Sequence, residues 1–267
     1  MNTRSWAPAA ALVATAAFAL AACSTPAPPE PKPTTRTGDD WSYKGSEGPD
    51  HWGEKAPACT DTDSSMESPI DIVTADMKVD ITSPALTFAY HAGDYELENN
   101  GHTIEAVPDE DDNNIVTFGG TEYVLQQFHF HAHSEHLIDG AAADAELHLV
   151  HKSAAGDVLV LGVLLEEGAA NSSLDDLFAQ IPEENGKEVE LETPIDASDL
   201  VPADSASARY EGSLTTPPCT QGVQWNVFLE PQSISPAQLS TFTKVYPDNH
   251  RPVQPLHHRE VTEIPAD

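Results

Sequence analysis

This sequence predicts a mainly β fold of the α+β class, a single domain carrying a few short peripheral helices. Three observations carry that reading. Short runs rich in Val, Ile, Leu, Tyr, Phe and Thr recur between residues 86 and 229, several of them alternating polar and apolar with a period of two. Turn residues punctuate them at Ala92-Gly93-Asp94, Pro108 to Asn113, Gly119-Gly120, Asp139-Gly140 and Ala155-Gly156-Asp157. Two stretches carry helix starts, and 267 residues suffice to bury one large core.

Residues 1–22 read as targeting sequence rather than fold. Arg4 supplies a thin positive start, and Ala9 to Ala22 is an apolar run too short to span a bilayer. Leu20-Ala21-Ala22-Cys23 resembles a bacterial lipobox, cleaved before Cys23 and lipidated on it; a plain signal peptide with a chance cysteine is the competing reading. Residues 24–40, STPAPPEPKPTTRTGDD, hold five prolines between Pro26 and Pro33 and build no core. With Cys23 they are expected to form a tether, its 17 residues reaching roughly 50 Å at about 3.1 Å each. The chain is thus expected to be exported and lipid-anchored to the cell envelope, on its periplasmic or outer face.

The folded domain is expected over 41–260, with 261–267 a tail and no internal repeat. Its strands are expected at 86–90, 95–98, 102–107, 114–118, 122–133, 144–152, 157–165 and 222–229. Ser173 is the expected cap of a helix over 174–180, and Ser235 followed by Pro236 starts a second over 236–243.

Charge excludes whole classes of partner. Twelve Lys+Arg stand against 44 Asp+Glu, a formal −32, which offers no basic footprint for nucleic acid or anionic lipid. Loss of Arg4 with the leader leaves 11 basic against 44 acidic groups, near −33, so the lipid alone would hold the membrane. Acidity marks a well-solvated surface and implies no protein partner. With Cys23 assigned to lipid, Cys59 and Cys219 remain, an even pair that favours one disulfide in an exported chain, with two free thiols as the alternative.

The chemistry lies at 127–151. In Gln127-Phe128-His129-Phe130-His131-Ala132-His133, a strand puts 127, 129, 131 and 133 on one face and the two phenylalanines on the other. On a helix, His129 and His131 would point about 200° apart and share no ion. After the Asp139-Gly140 turn, Glu146-Leu147-His148-Leu149-Val150-His151 alternates again and brings a third imidazole on a paired strand. Three neutral imidazoles with one open position describe a catalytic metal site, for Zn, Cu, Fe or Ni. Spacing alone leaves a His-rich core strand equally open.

QFHFHAHSEH, AELHLVH and GSLTTPPC, in this order, resemble the α-class carbonic anhydrases. WSYKGSEGPDHWG, ESPIDI, NNGHTIE and NHRPVQPL extend the resemblance over nearly all of 41–259. It implies a large, twisted, mostly antiparallel sheet with zinc, as Zn2+, on His129, His131 and His148. It also implies the reversible hydration of carbon dioxide to bicarbonate and a proton, through a hydroxide that zinc makes available by lowering its water's pKa to about 7, the value this family is known for. Thr215 matches the hydroxyl that orients that hydroxide, and Glu135 the carboxylate that orients Thr215. Gln127, the Asn249 backbone and Glu146 match the groups that fix the tautomers of His129, His131 and His148. Val150, Val160, Leu214, Val223 and Trp225 match the apolar wall, with Thr216 flanking the water. His102 matches the proton shuttle, and an imidazole's ordinary pKa near 6.5 suits that task.

Three residues depart from the pattern. His133 stands where bacterial members usually carry proline, Glu67 where glutamine is usual before Ser-Pro, and Glu105 in place of a neutral amide near the shuttle. None removes a matched ligand or Thr215. His133 invites a reading as a fourth ligand, yet a fourth would close the open position, so the expectation is that it does not bind. Competing readings are a catalytically silent surface-binding module of this fold, an extracytoplasmic zinc carrier and a copper–zinc dismutase. The first typically lacks a zinc histidine, the second needs no Thr215–Glu135 pair, and the third needs a bridging histidine that is not evident.

Overall fold

A computed structural model describes residues 41–109, 113–202 and 204–266. The leader at 1–22, Cys23 and the tether at 24–40 lie outside the described residues.

Seven strands position the site: β1 (Tyr95–Asn99), β2 (Ile104–Pro108), β3 (Thr121–His131), β4 (Ala145–Ser153), β5 (Val158–Glu167), β6 (Ser207–Ser213) and β7 (Gln221–Ile234). Among the described residues they belong to a twelve-stranded sheet. Its order is Glu188–Glu190, β1, β2, β3, β4, β5, β7, β6, Thr262–Ile264 and Lys78–Val79; Ile115–Phe118 also pairs with β3, and Thr87–Ala89 with Ile115–Phe118. The pairings are antiparallel apart from β5 with β7 and Thr262–Ile264 with Lys78–Val79, so the sheet is the mostly antiparallel one expected.

Period-two alternation sends the apolar side chains to both faces. Phe128, Phe130, Leu147, Leu149, Leu159, Leu161 and Phe228 pack into one buried cluster, joined by Phe178 and Phe242 from the two expected helices, α1 (Asp175–Ala179) and α2 (Pro236–Val245). The opposite face carries a second cluster built on Ile70, Val160, Tyr210, Val223, Trp225 and Val227. Truncating one such fully buried ring, for example Phe128→Ala, would cost about 3–5 kcal/mol. Cys59 and Cys219 form a disulfide with Cα atoms 5.1 Å apart across 160 residues, packed on Trp52.

Several expected boundaries shift for identifiable reasons. β3 stops at His131, not 133, because the next backbone groups leave the ladder: the Ala132 N–H donates to Asn249 Oδ1 (2.8 Å) and the Asn249 N–H to the Ala132 carbonyl (3.0 Å). The Ala132–His133 peptide is cis, and His133 is exposed. His102 precedes β2, in a turn where Asn100 Oδ1 accepts the N–H groups of His102 and Thr103 at 2.9 Å each. Ser235 caps α2 as expected, through a reciprocal box with Gln238. Ser173 does not cap the earlier helix. Asn171 does that work: its Oδ1 accepts the Ser173 N–H (3.1 Å) and opens a 3-10 turn, Ser172–Leu174, that leads into α1. β6 was not expected: Ser207–Ser213 holds one aromatic residue and no Val, Ile, Leu, Phe or Thr, and its pairing with β7 and Thr262–Ile264 makes it a strand. The segment expected as a tail supplies Thr262–Ile264, the strand that covers the outer edge of β6.

Candidate metal centre

The register of β3 on β4 assembles the centre. Antiparallel pairing sets His129 opposite His148, His131 opposite Glu146 and Gln127 opposite Val150, all on the face away from Phe128 and Phe130. A one-residue slip would send the whole set to the other face. β5 then places Gly162 beside His148, and the glycine is required there: a Cβ would lie 2.9 Å from Glu146 Oε1.

Each imidazole has one nitrogen tied and one turned inward. His129 Nδ1 pairs with Gln127 Oε1 (2.8 Å), His131 Nδ1–H donates to the Asn249 carbonyl (2.7 Å) and His148 Nε2–H donates to Glu146 Oε1 (2.9 Å). Those bonds fix the tautomers and leave His129 Nε2, His131 Nε2 and His148 Nδ1 as lone-pair donors. The three side chains offer ligand atoms within 4.8 Å of one another, and His131 Nε2 is buried without a hydrogen-bond partner among the described residues. Burial, with the neighbouring rings, holds His129 well below the usual histidine range; burial also lowers His148 and brings His131 down to about 4. Neutral imidazoles are what a zinc ion takes. The residues present fit that ion.

A ring of fixed dipoles supports the trio. Glu146 is fully buried; its Oε2 accepts the Glu135 and His136 backbone N–H groups (2.8 Å each), and its Oε1 lies 2.7 Å from His136 Nδ1. Burial alone would raise its pKa, but His136 and His148 outweigh it and hold the carboxyl well below the usual range. Glu135 Oε1 accepts the Arg251 backbone N–H (2.7 Å), and its Oε2 lies 3.5 Å from His131 Nε2 and 3.9 Å from His148 Nδ1, at the border of the space the nitrogens enclose. Burial pushes the Glu135 carboxyl up, against the pull of His148, the Thr215 hydroxyl and the Arg251 amide.

The other expected residues fall around this core. Val160, Val223 and Trp225 belong to one apolar cluster on the site face, with Val150 and Leu214 packed against it, and the Trp225 ring sits 4.9 Å from that of His148. Thr215 is buried and Thr216 half-buried, on the loop that the Cys59–Cys219 disulfide ties down. His102 stacks flat on Trp41, ring centroids 3.7 Å apart. Glu105 stands opposite His129 in the β2–β3 pairing. His133 is not brought into the trio: its ring faces His250 at 5.9 Å.

Sequence reasoning missed two contributors. His136 is fully buried, with Nε2 2.7 Å from Tyr210 Oη, which in turn lies 2.8 Å from Ser68 Oγ. Its signal was the last histidine of QFHFHAHSEH, adjacent to Glu135. Arg251 is buried against Glu67 and Trp52, and its one signal was its place in NHRPVQPL.

Fold and site together define the class: a metalloenzyme on a mostly antiparallel sheet, with three histidines suited to zinc. The chain belongs to the eukaryotic-type carbonic anhydrase family, whose model matches residues 47–264. It is 42% identical over 235 residues to a carbonic anhydrase of Klebsiella pneumoniae, covering 86% of this chain and 94% of that one. A carbonic anhydrase of a Nostoc species is 40% identical over 229 residues, covering 84% and 86%. Among solved structures, the α-carbonic anhydrase of Thermovibrio ammonificans in complex with sulfanilamide superposes with a TM-score of 0.77 at 42% identity, covering 83% of this chain and 98% of that one.

Proposed function

We propose that this chain is a zinc-dependent carbonic anhydrase, catalysing the reversible hydration of carbon dioxide to bicarbonate and a proton. The observation that carries the reading is the orientation of the trio: His129, His131 and His148 each have one nitrogen tied and the other turned toward a shared space. These three would hold the zinc, which supplies a hydroxide nucleophile at neutral pH by acidifying water to a pKa of about 7.

The chain's own residues do the rest. Thr215 Oγ1 would accept a hydrogen bond from the nucleophile that the zinc supplies and so orient it toward the substrate carbon. It can accept there because its own proton goes to Glu135, a role that the influence of Thr215 on the Glu135 carboxyl supports. Gln127, Asn249 and Glu146 keep the three rings in the tautomers that ligation needs. Val150, Val160, Leu214, Val223 and Trp225 give an apolar substrate a wall without competing hydrogen bonds, with Thr216 beside it. His102 relays the product proton to solvent, and its stacking on Trp41 supports a defined ring position. A silent binding module or a metal carrier would have no use for this hydroxyl–carboxylate pair. Purified residues 41–267 are expected to bind one zinc and to hydrate carbon dioxide until a chelator strips the metal; full activity in metal-free protein would overturn the reading.

The cellular setting is the second part of the proposal. Residues 1–22 are a lipoprotein signal peptide, Cys23 the lipidated residue, 24–40 the tether and 41–260 the catalytic domain with its tail to 267. The enzyme is then exported and anchored to the envelope by lipid alone. The Leu20-Ala21-Ala22-Cys23 sequence supports this, as does the Cys59–Cys219 disulfide, which belongs to an oxidising compartment. Globomycin, an inhibitor of lipoprotein signal cleavage, should leave the precursor uncut; normal processing in its presence would refute the anchor. Among the described residues no helix is long and apolar enough to cross a membrane.

A further inference from the structure

Glu67 is a carboxylate shut away from solvent. The residue is fully buried, 184 positions from its partner Arg251, whose Nη1 donates to Glu67 Oε2 at 2.9 Å. The other oxygen, Oε1, accepts from Gln221 Nε2 at 3.0 Å. Its two oxygens therefore serve two separate stretches of chain. Arg251 is the residue whose backbone N–H holds Glu135 Oε1 at 2.7 Å. Gln221 opens β7, directly after the loop that carries Thr215 and Thr216 and ends in the disulfide-bonded Cys219. The guanidinium is otherwise fixed by carbonyls, donating from Nη1 to Ser68 O (2.7 Å) and from Nη2 to Cys59 O (3.3 Å), so Glu67 brings its compensating charge. A buried guanidinium deprived of that acceptor oxygen would be driven to move toward solvent or another acceptor, and its own amide would move with it.

We propose that Glu67 is a positioning residue for catalysis, a buried carboxylate that clamps the Arg251 segment and the Thr215 loop to each other and so holds Glu135 in line with Thr215. The inference rests on the roles given above to Thr215 and Glu135. It acts on geometry and not on metal affinity, since the hydrogen bonds of Glu67 run to Arg251 and Gln221 and not to the three histidines.

The test compares Glu67→Leu, Glu67→Gln, Gln221→Ala and Thr215→Ala in the zinc-loaded domain, each rate divided by bound zinc. Glu67→Leu should lower kcat by at least about 10-fold, with KM and zinc content within about twofold of the parent. Glu67→Gln should recover most of that rate, because its amide oxygen can still accept from Arg251 while its nitrogen donates to a turned Gln221 amide. The Arg251 amide proton, followed by NMR in the zinc-free domain, should exchange faster in Glu67→Leu and not in Glu67→Gln. A folded Glu67→Leu with parental kcat and an unchanged Arg251 amide would overturn the proposal. Should that variant fail to fold, Gln221→Ala removes one arm at an exposed side chain. It should lower kcat about two- to fivefold at constant KM, and a parental kcat would again refute the clamp. Thr215→Ala separates the two failures: if it is fully active, the hydroxide-orienting reading falls, whereas an inactive Thr215→Ala beside a fully active Glu67→Leu sinks the clamp alone.

Discussion

Replacing Glu146 by Gln exchanges one oxygen for an NH2 group and tests how the centre is held. The carboxylate accepts four hydrogen bonds, and its two oxygens face different kinds of donor. Oε2 meets the backbone N–H groups of Glu135 and His136, which cannot turn away or lose their protons. Oε1 meets two rings, His136 Nδ1 at 2.7 Å and His148 Nε2 at 2.9 Å. In the Glu146→Gln variant the new amide must therefore keep its oxygen on the backbone and present NH2 to the rings. Donor then faces donor unless His148 moves its proton to Nδ1, the nitrogen turned inward. Zinc would have to expel that proton, or the ring would keep its tautomer with a lost charge-assisted bond, a cost of about 1.5–3 kcal/mol. That corresponds to about 10–100-fold in affinity, the range typical for groups that orient a metal's ligands. Gln127→Ala is the comparator: it removes one bond to the half-buried His129 and should cost about 0.5–1.5 kcal/mol, roughly two- to tenfold. Competition against a chromophoric chelator reads both constants. A folded Glu146→Gln that binds zinc within twofold of the parent would refute the tautomer argument.

Three further outcomes follow from the same geometry. His102→Ala should lower the maximal rate in dilute buffer at unchanged zinc content, and added imidazole should restore it; no rescue would remove His102 from proton export. His133→Pro should leave zinc content and turnover nearly intact, because His133 is exposed and faces His250; metal loss in this variant would make it a ligand. His151, fully buried with Nε2 2.6 Å from Tyr90 Oη, is pushed down by burial to about 4. Its folded pKa lies below the unfolded value of about 6.5, so its contribution is intact above pH 6.5 and fades as pH falls toward 4, by about 2 kcal/mol at pH 5. His151→Phe should therefore lose less melting temperature than the parent between pH 7 and pH 5, and equal losses would show that this histidine does not set the acid sensitivity.

What the sequence determined by itself was everything whose physics is local. Alternation at 127–131 and 146–150 placed His129, His131 and His148 on strand faces because successive residues of a strand point to opposite sides, whatever lies beyond it. Ser235-Pro236 marked a helix start for a similar reason, the cap and its Gln238 partner lying within one turn. The resemblance of the ordered motifs extended this to Thr215, Glu135 and the apolar wall. Tertiary structure decided the rest. Only pairing gave Ser207–Ser213 its place as a strand, since it is poor in β-branched and large apolar residues and is held between β7 and Thr262–Ile264. His133 lost the strand face its position promised because Asn249, 117 residues beyond Ala132, takes the backbone groups there. Glu67, Arg251 and Glu135 are 184 and 116 residues apart along the chain, and no periodicity links such positions. Their partnership exists because a buried charge must find its counter-charge, and only the folded chain brings one within 3 Å.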